Sequence, residues 1–165
     1  MGLKPTFKLA DVRAKLAADA KKIEQVILLR LQYLGEECVN IARNLDTYKD
    51  QTGNLRNSVG YVIVKNGKVV LNNFQRSAKV VKTSKSGKQR VTSGSGDGVK
   101  TGESLALELV SGHSRGYVLI VVAGMNYAEA VEIRGKDVLS SAEQYAKKEL
   151  PRMRAALRLD VMKLK

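Results

Sequence analysis

Along the first quarter of the chain, apolar residues recur at steps of three and four. Ile23, Val26, Ile27, Leu31, Leu34, Cys38, Ile41, Ala42 and Leu45 share one stripe, and Leu9, Val12 and Leu16 carry it upstream between charged residues. That period predicts an amphipathic helix over residues 9–45. It reads equally as one helix of unusual length or as two helices joined at residues 18–22, where Lys21, Lys22 and Glu24 mark a solvated patch. Gly35 weakens helix preference by about 1 kcal/mol against Ala without ending the pattern. A helix this long suits one that projects from the body and packs on a neighbouring subunit.

The period then breaks at a polar corner, residues 50–61. Asp50, Thr52, Asn54, Asn57 and Ser58 are short side chains that form turns and caps. Gly53 admits backbone angles that other residues resist. Leu55 is placed to enter the core, and Arg56 has the reach to anchor the corner to Glu129, to Glu132 or to a neighbouring subunit.

Beyond the corner, residues 59–64 read as a strand, the Asn66-Gly67 pair as a tight turn and residues 68–71 as the returning strand, which together predict a β-hairpin. From Asn72 to about Gly102 the pattern dissolves into a long basic stretch ending in a Ser-Gly linker-like run. A short helix is expected over 103–110, and residues 117–123 read as a strand apolar on both faces, central in its sheet. Residues 127–132 form a short helical or extended segment. Val138-Leu139 suits an edge strand, and Ser140 and Ser141, with Glu143 and Gln144, suit a capping box on a last helix. Pro151 is expected to break or kink that helix, or to open a second segment.

The fold class is therefore α+β: a long N-terminal helix, a small mainly antiparallel sheet with a hairpin, and a short helix and a C-terminal helix packed on one face. The expected organisation is a single domain over 1–165, with 1–22 extending the first helix and 72–102 a long basic flexible loop.

Composition adds a charge argument. Lys and Arg number 29 against 16 Asp and Glu, for a net charge of +13. That balance makes a polyanion, nucleic acid or an acidic protein surface, a plausible neighbour, while a soluble protein with a basic face would carry it too. The basic stretch holds Arg76, Lys79, Lys82, Lys85, Lys88, Arg90 and Lys100 against Asp97 alone. Lys79, Lys82, Lys85, Lys88 and Arg90 are the candidate DNA-facing residues. Phe74 is the one aromatic near them, so a stacking platform for single strands is missing and any contact would be sequence-blind. A solvated loop explains the same residues.

Little in the chain suggests chemistry. One Cys and one His make a metal cluster or an internal disulfide an unsuitable reading, and Cys38 lies on the apolar helix stripe as a buried thiol. His113 falls in a surface turn without a neighbouring acid or nucleophile in sequence. The Gly94, Gly96, Gly98 run lacks the preceding strand and the Lys-Ser/Thr ending of a phosphate loop. Glu36 and Glu37 are adjacent and cannot share a helix face. Glu129 and Glu132 can, and locking subunits together suits them better than catalysis. The expectation is a non-enzyme with no cofactor. Residues 1–8 have no apolar core of signal type and no run reaches bilayer-spanning length, so no membrane partner is expected.

Two stretches together carry a resemblance. Asp50-x-Thr52-Gly53-x-Leu55-Arg56-x-Ser58 follows a long helix and precedes a hairpin. Val121-Val122-Ala123-Gly124-Met125-Asn126-Tyr127-Ala128 comes about seventy residues later, with Val131-Glu132 and Gly135-Lys136-Asp137-Val138-Leu139. The ordered pair resembles the tail-completion and head–tail connector (neck, tail-terminator-like) proteins of long-tailed bacteriophages, over roughly residues 20–160. The resemblance implies a virion protein that forms a ring between portal and tail tube. Its implied partners are copies of itself, six favoured and twelve possible, the adjacent neck, portal-side and tail-tube proteins, and packaged double-stranded DNA by nonspecific contact. It marks Thr52, Gly53, Leu55, Arg56, Ser58, Tyr127, Glu129 and Glu132 as the recurrent motif and interface positions. The loop between hairpin and strand varies in that family, so the basic stretch inherits no role from it. The second function consistent with the residues is a basic accessory protein that binds nucleic acid without sequence preference.

Overall fold

A computed structural model describes residues 8–45, 47–48, 52–76, 80–83, 89–92 and 97–163. The apolar stripe forms a single continuous helix, α1 (Leu9–Asn44, 36 residues), without a join at 18–22. At 1.5 Å per residue it is about 54 Å long. Its second half is embedded: Leu34, Cys38, Val39 and Ala42 are buried. Gly35 is tolerated there for a reason of space, since a Cβ would lie 2.7 Å from the Tyr61 ring.

The corner folds as a five-residue helix, α2 (Asn54–Ser58), entered through Gly53 at φ +79°. It leads straight into β1 (Val59–Lys65), which turns at Asn66-Gly67 into β2 (Lys68–Asn73). Both turn residues have positive φ, 49° and 78°, as a tight hairpin demands. Next come β3 (Val80–Thr83), β4 (Gln89–Thr92), α3 (Asp97–Val110), β5 (Tyr117–Ala123), α4 (Ala128–Ile133) and α5 (Ser140–Met162).

The main sheet is antiparallel in the order β2-β1-β5, and β3 and β4 form a separate two-stranded sheet. The α+β class expected from the pattern is what the chain adopts. The central strand, however, is β1, and β5 lies at an edge. Six of the seven residues of β1 are buried, against two of the seven in β5. An apolar run on both faces reports cover above and below, and carries no information about pairing on the two sides.

The helices divide between the faces instead of sharing one. Val59, Tyr61 and Ile63 point to one side and join Leu34, Cys38, Val39 and Ala42 of α1 and Ala142 of α5 in a core cluster. Val62 and Val64 point to the other and join Ile120, Val122 and Ala106 of α3 in a second. β1 is apolar at every position from Val59 to Val64 except Gly60, so both of its faces have to be covered.

The basic stretch also differs from the expectation. β2 runs on to Asn73, and α3 begins at Asp97, six residues before the expected start. Gly98 and Gly102, read as linker and helix start, are one turn apart on α3 and face the corner. A Cβ at Gly98 would sit 2.2 Å from the Asn54 carbonyl oxygen, and one at Gly102 2.3 Å from that of Ser58. Only glycine lets the helix approach the backbone that closely.

Val138-Leu139 forms no strand. Val138 is fully buried beneath the corner with Tyr48, Leu55 and Ala128. The start of α5 is capped by upstream carboxylates and not by a Ser-Glu box. Glu132 Oε1 accepts from the Ser140 amide at 2.9 Å and from its hydroxyl at 2.5 Å, and Asp137 accepts from the Ser141 amide at 3.2 Å and from its hydroxyl. Carboxylates there also meet the positive end of the helix dipole. The helix continues through Pro151 without a break. α5 packs along α1, where Arg30 Nη2 donates to Asp160 Oδ2 at 2.5 Å and Nη1 to the Met153 carbonyl at 3.4 Å.

Candidate assembly surface

The two motif stretches, far apart in sequence, meet in one interlocked unit. Ser58 is its pivot. Its hydroxyl donates to the Leu55 carbonyl at 2.8 Å and accepts from the Met125 amide at 3.3 Å, while its carbonyl accepts from the Gly124 amide at 3.2 Å. Gly124 itself is pressed on α3, where a Cβ would lie 2.4 Å from the Gly102 Cα. Leu55 and Ala128 are buried in the same cluster. The Thr52 hydroxyl accepts from the Asn54 amide at 3.4 Å.

Leu55 and Ser58 are therefore enclosed within the subunit, as is Gly53. Thr52, Tyr127 and Glu129 remain exposed at the surface of the unit. Glu132, one of the partners anticipated for Arg56, accepts at Oε1 from the Leu139 and Ser140 amides and the Ser140 hydroxyl at the start of α5. Glu129 projects from the exposed side of the short helix α4.

Arg56 lies close to a residue that the sequence did not single out. Arg43, in the last turn of α1, donates from Nη2 to the carbonyls of Val59 and Gln75, both at 2.7 Å. It ties the helix end to the start of β1 and to the segment after β2. Burial lowers its pKa, Glu36 opposes that shift, and the nearby Arg56 adds to it. One carboxylate joins the other side: Glu36 Oε1 accepts from the Tyr61 hydroxyl at 2.9 Å and from Asn73 Nδ2 at 2.6 Å. Burial, with the Glu36 charge adding to it, pushes the Tyr61 phenol up to about 12. Cys38 is buried as expected, its thiol pushed up to about 11 by desolvation and then by Glu37.

The exposed apolar surface lies elsewhere. Residues 8–22 of α1 are exposed apart from a half-buried Asp19. Leu9 and Leu16 are 60% and 65% exposed, and Val12 39%. This bare segment spans about 22 Å of helix. It ends where Glu24 pairs with Lys65 at the tip of the main hairpin.

Of the candidate DNA-facing residues, Lys82 and Arg90 stand directly opposite each other in the β3–β4 register. Lys79, Lys85 and Lys88 lie outside the described residues. His113 is exposed in the loop before β5. Among the described residues no group of His, Cys, Asp and Glu is arranged to hold a metal, and no helix is long and apolar enough to cross a membrane. Comparison of the chain with known protein families, with curated proteins and with solved structures finds no match.

Proposed function

We propose that this chain is a structural subunit of the head–tail connector of a tailed bacteriophage, assembling with copies of itself into a ring that completes or terminates the tail and passes DNA through its centre. The observation that carries the reading is the union of the two motif stretches. Strings that match a family by chance have no reason to meet. Here Ser58 and the Gly124-Met125 backbone are hydrogen-bonded and Leu55 packs with Ala128. The bare apolar stripe Leu9, Val12 and Leu16 adds a surface that assembly would cover. Six subunits are favoured on the resemblance, with twelve as the alternative, and portal-side and tail-tube proteins as axial neighbours. Sedimentation and negative-stain imaging of the purified chain, with mass measurement of the particle-bound form, test this. Closed rings are the expected result, and a protein that stays monomeric and is absent from purified virions would overturn it.

A second reading, a nonspecific nucleic-acid-binding protein, draws on the register of Lys82 opposite Arg90 and on the net charge of +13. It predicts tight binding of DNA by the monomer, weakening steeply with salt. Retention of that binding after removal of residues 76–100 would count against it.

A further inference from the structure

The bare stem of α1, residues 8–22, is a helical rod with an apolar line of Leu9, Val12 and Leu16. Its flanks are basic. At about 100° per residue, Arg13 falls on one side of that line and Lys8 and Lys15 on the other. The stem as a whole holds Lys8, Arg13, Lys15, Lys21 and Lys22 against Asp11 and Asp19. Two stems laid together would set base on base, which resists pairing.

A cavity of about 570 Å³ between α1, β5 and α5 is one place for an apolar rod, with Leu31, Leu119 and Leu150 among its walls. Its α5 wall belongs to a helix with five bases and three acids, the same sign as the stem. The outer face of α3 is another place, and its sign is opposite: Asp97, Glu103 and Glu108 stand against Lys100. The buried side of α3 is Gly98, Gly102 and Ala106, while Thr101, Ser104, Leu107 and Glu108 are exposed. Glu108 falls on one side of the line through Ser104 and Leu107, and Glu103 on the other. Acids thus flank this face as bases flank the stem. The lengths match as well, since the 14 residues of α3 span about 21 Å and the stem about 22 Å. The small Thr101 and Ser104 leave room for larger side chains from a partner, and Leu107, 46% exposed, gains apolar cover.

Within one chain the two helices are on opposite faces of the main sheet. α1 packs on the side of Val59, Tyr61 and Ile63, and α3 on the side of Val62 and Val64. The charge match therefore joins one side of a subunit to the other side of its neighbour.

We infer that the stem of α1 docks on the outer face of α3 in a second copy of this chain. The inference rests on the self-assembly reading and names its contact. Two different surfaces meet, so the contact is head-to-tail, and such contacts close into rings when the rotation permits. The apolar line supplies burial, and the opposite charges on both flanks set register and disfavour stem-on-stem pairing.

The test uses sedimentation of the full chain. One variant reverses charge on the stem, Arg13→Glu with Lys15→Glu. Another does so on α3, Ser104→Lys with Glu108→Lys. Each is expected to weaken self-association at least about tenfold, because like charges then face each other across the contact. All four substitutions together are expected to restore it to within about threefold of the parent, the coupling that touching residues show. The four residues are exposed, so urea midpoints should hold and lost contact is separated from lost folding. In parallel, p-benzoylphenylalanine placed at Ala20 should cross-link, in a mixture with isotope-labelled chain, to the tryptic peptide 101–115 of the second copy. Variants that leave association unchanged, or that weaken it without mutual rescue, overturn the inference alone. So does a cross-link to the stem or α5 of the second copy, or to residues 101–115 of the same chain. A chain that remains monomeric under all conditions overturns the self-assembly reading and this inference with it.

Discussion

The two halves of α1 carry the same periodic stripe and meet opposite fates. From Leu34 to Ala42 the stripe is sealed against β1 and α5. Over residues 8–22 it faces solvent, although Leu9, Val12 and Leu16 are spaced as regularly as Leu34, Cys38 and Ile41. Periodicity therefore reports that a face needs cover, and is silent on whether the cover comes from the same chain. The embedded half explains why the subunit folds. Among the described residues, nothing covers the bare half.

The sharpest way to break the embedded half is at Tyr61, which is fully buried and joins α1 through Glu36. Tyr61→Ala is expected to cost about 3–5 kcal/mol, the range for emptying a buried aromatic site, read as a fall in the urea midpoint. Arg43→Met comes next. It keeps the bulk and removes two charge-assisted bonds to the Val59 and Gln75 carbonyls. About 2–3 kcal/mol is expected from the same titration. Gly102→Leu should cost about 1–3 kcal/mol through overpacking against Ser58. Unlike the other two, it should also loosen the motif junction, seen as faster amide exchange at Gly124 and Met125.

Alkali provides a milder probe. Cys38 and Tyr61 both have raised pKa values in the folded chain, so folding favours their neutral forms. Their contribution is complete below the ordinary values of 9.0 and 10.0 and is lost as pH rises towards about 11 and about 12. Urea midpoints should hold up to about pH 9 and then decline, with the Cys38 part missing in Cys38→Ala. A midpoint unchanged between pH 9 and pH 12 would mean that neither group is sealed as described.

Much of this architecture was legible because it rests on local chemistry. The stripe of α1, the Asn66-Gly67 turn and the polar corner each follow from residue type and spacing. What escaped was non-local. Gly98 and Gly102 look like linker residues until the backbone of Asn54 and Ser58 is placed against them, and only their i, i+4 spacing ahead of Leu105 and Ala106 hinted at a helix face. The edge position of β5 depends on which strand lies beside it, which an apolar run does not encode. In the corner, Arg56 drew notice for its motif, while Arg43 was passed over, although it ends the helix that β1 packs against and bonds the Val59 carbonyl. Ser58 was visible as a cap. Its second role, holding the Met125 amide, needs a partner 67 residues away.

The bare half of α1 should give the smallest change in stability and the clearest change in association. Replacing Leu9, Val12 and Leu16 together by Gln removes apolar groups that are already largely in water. Gln is a competent helix former, so intrinsic helicity is nearly preserved. The segment needs no nucleus of its own, because it continues a helix anchored by its embedded half. The urea midpoint of the monomer should therefore move by no more than about 0.5 kcal/mol. If the stripe is an assembly surface, the same triple variant should shift the concentration dependence of sedimentation towards the monomer. A large loss of monomer stability would show instead that these residues are covered by their own chain, and the contrast between the two halves of α1 would collapse.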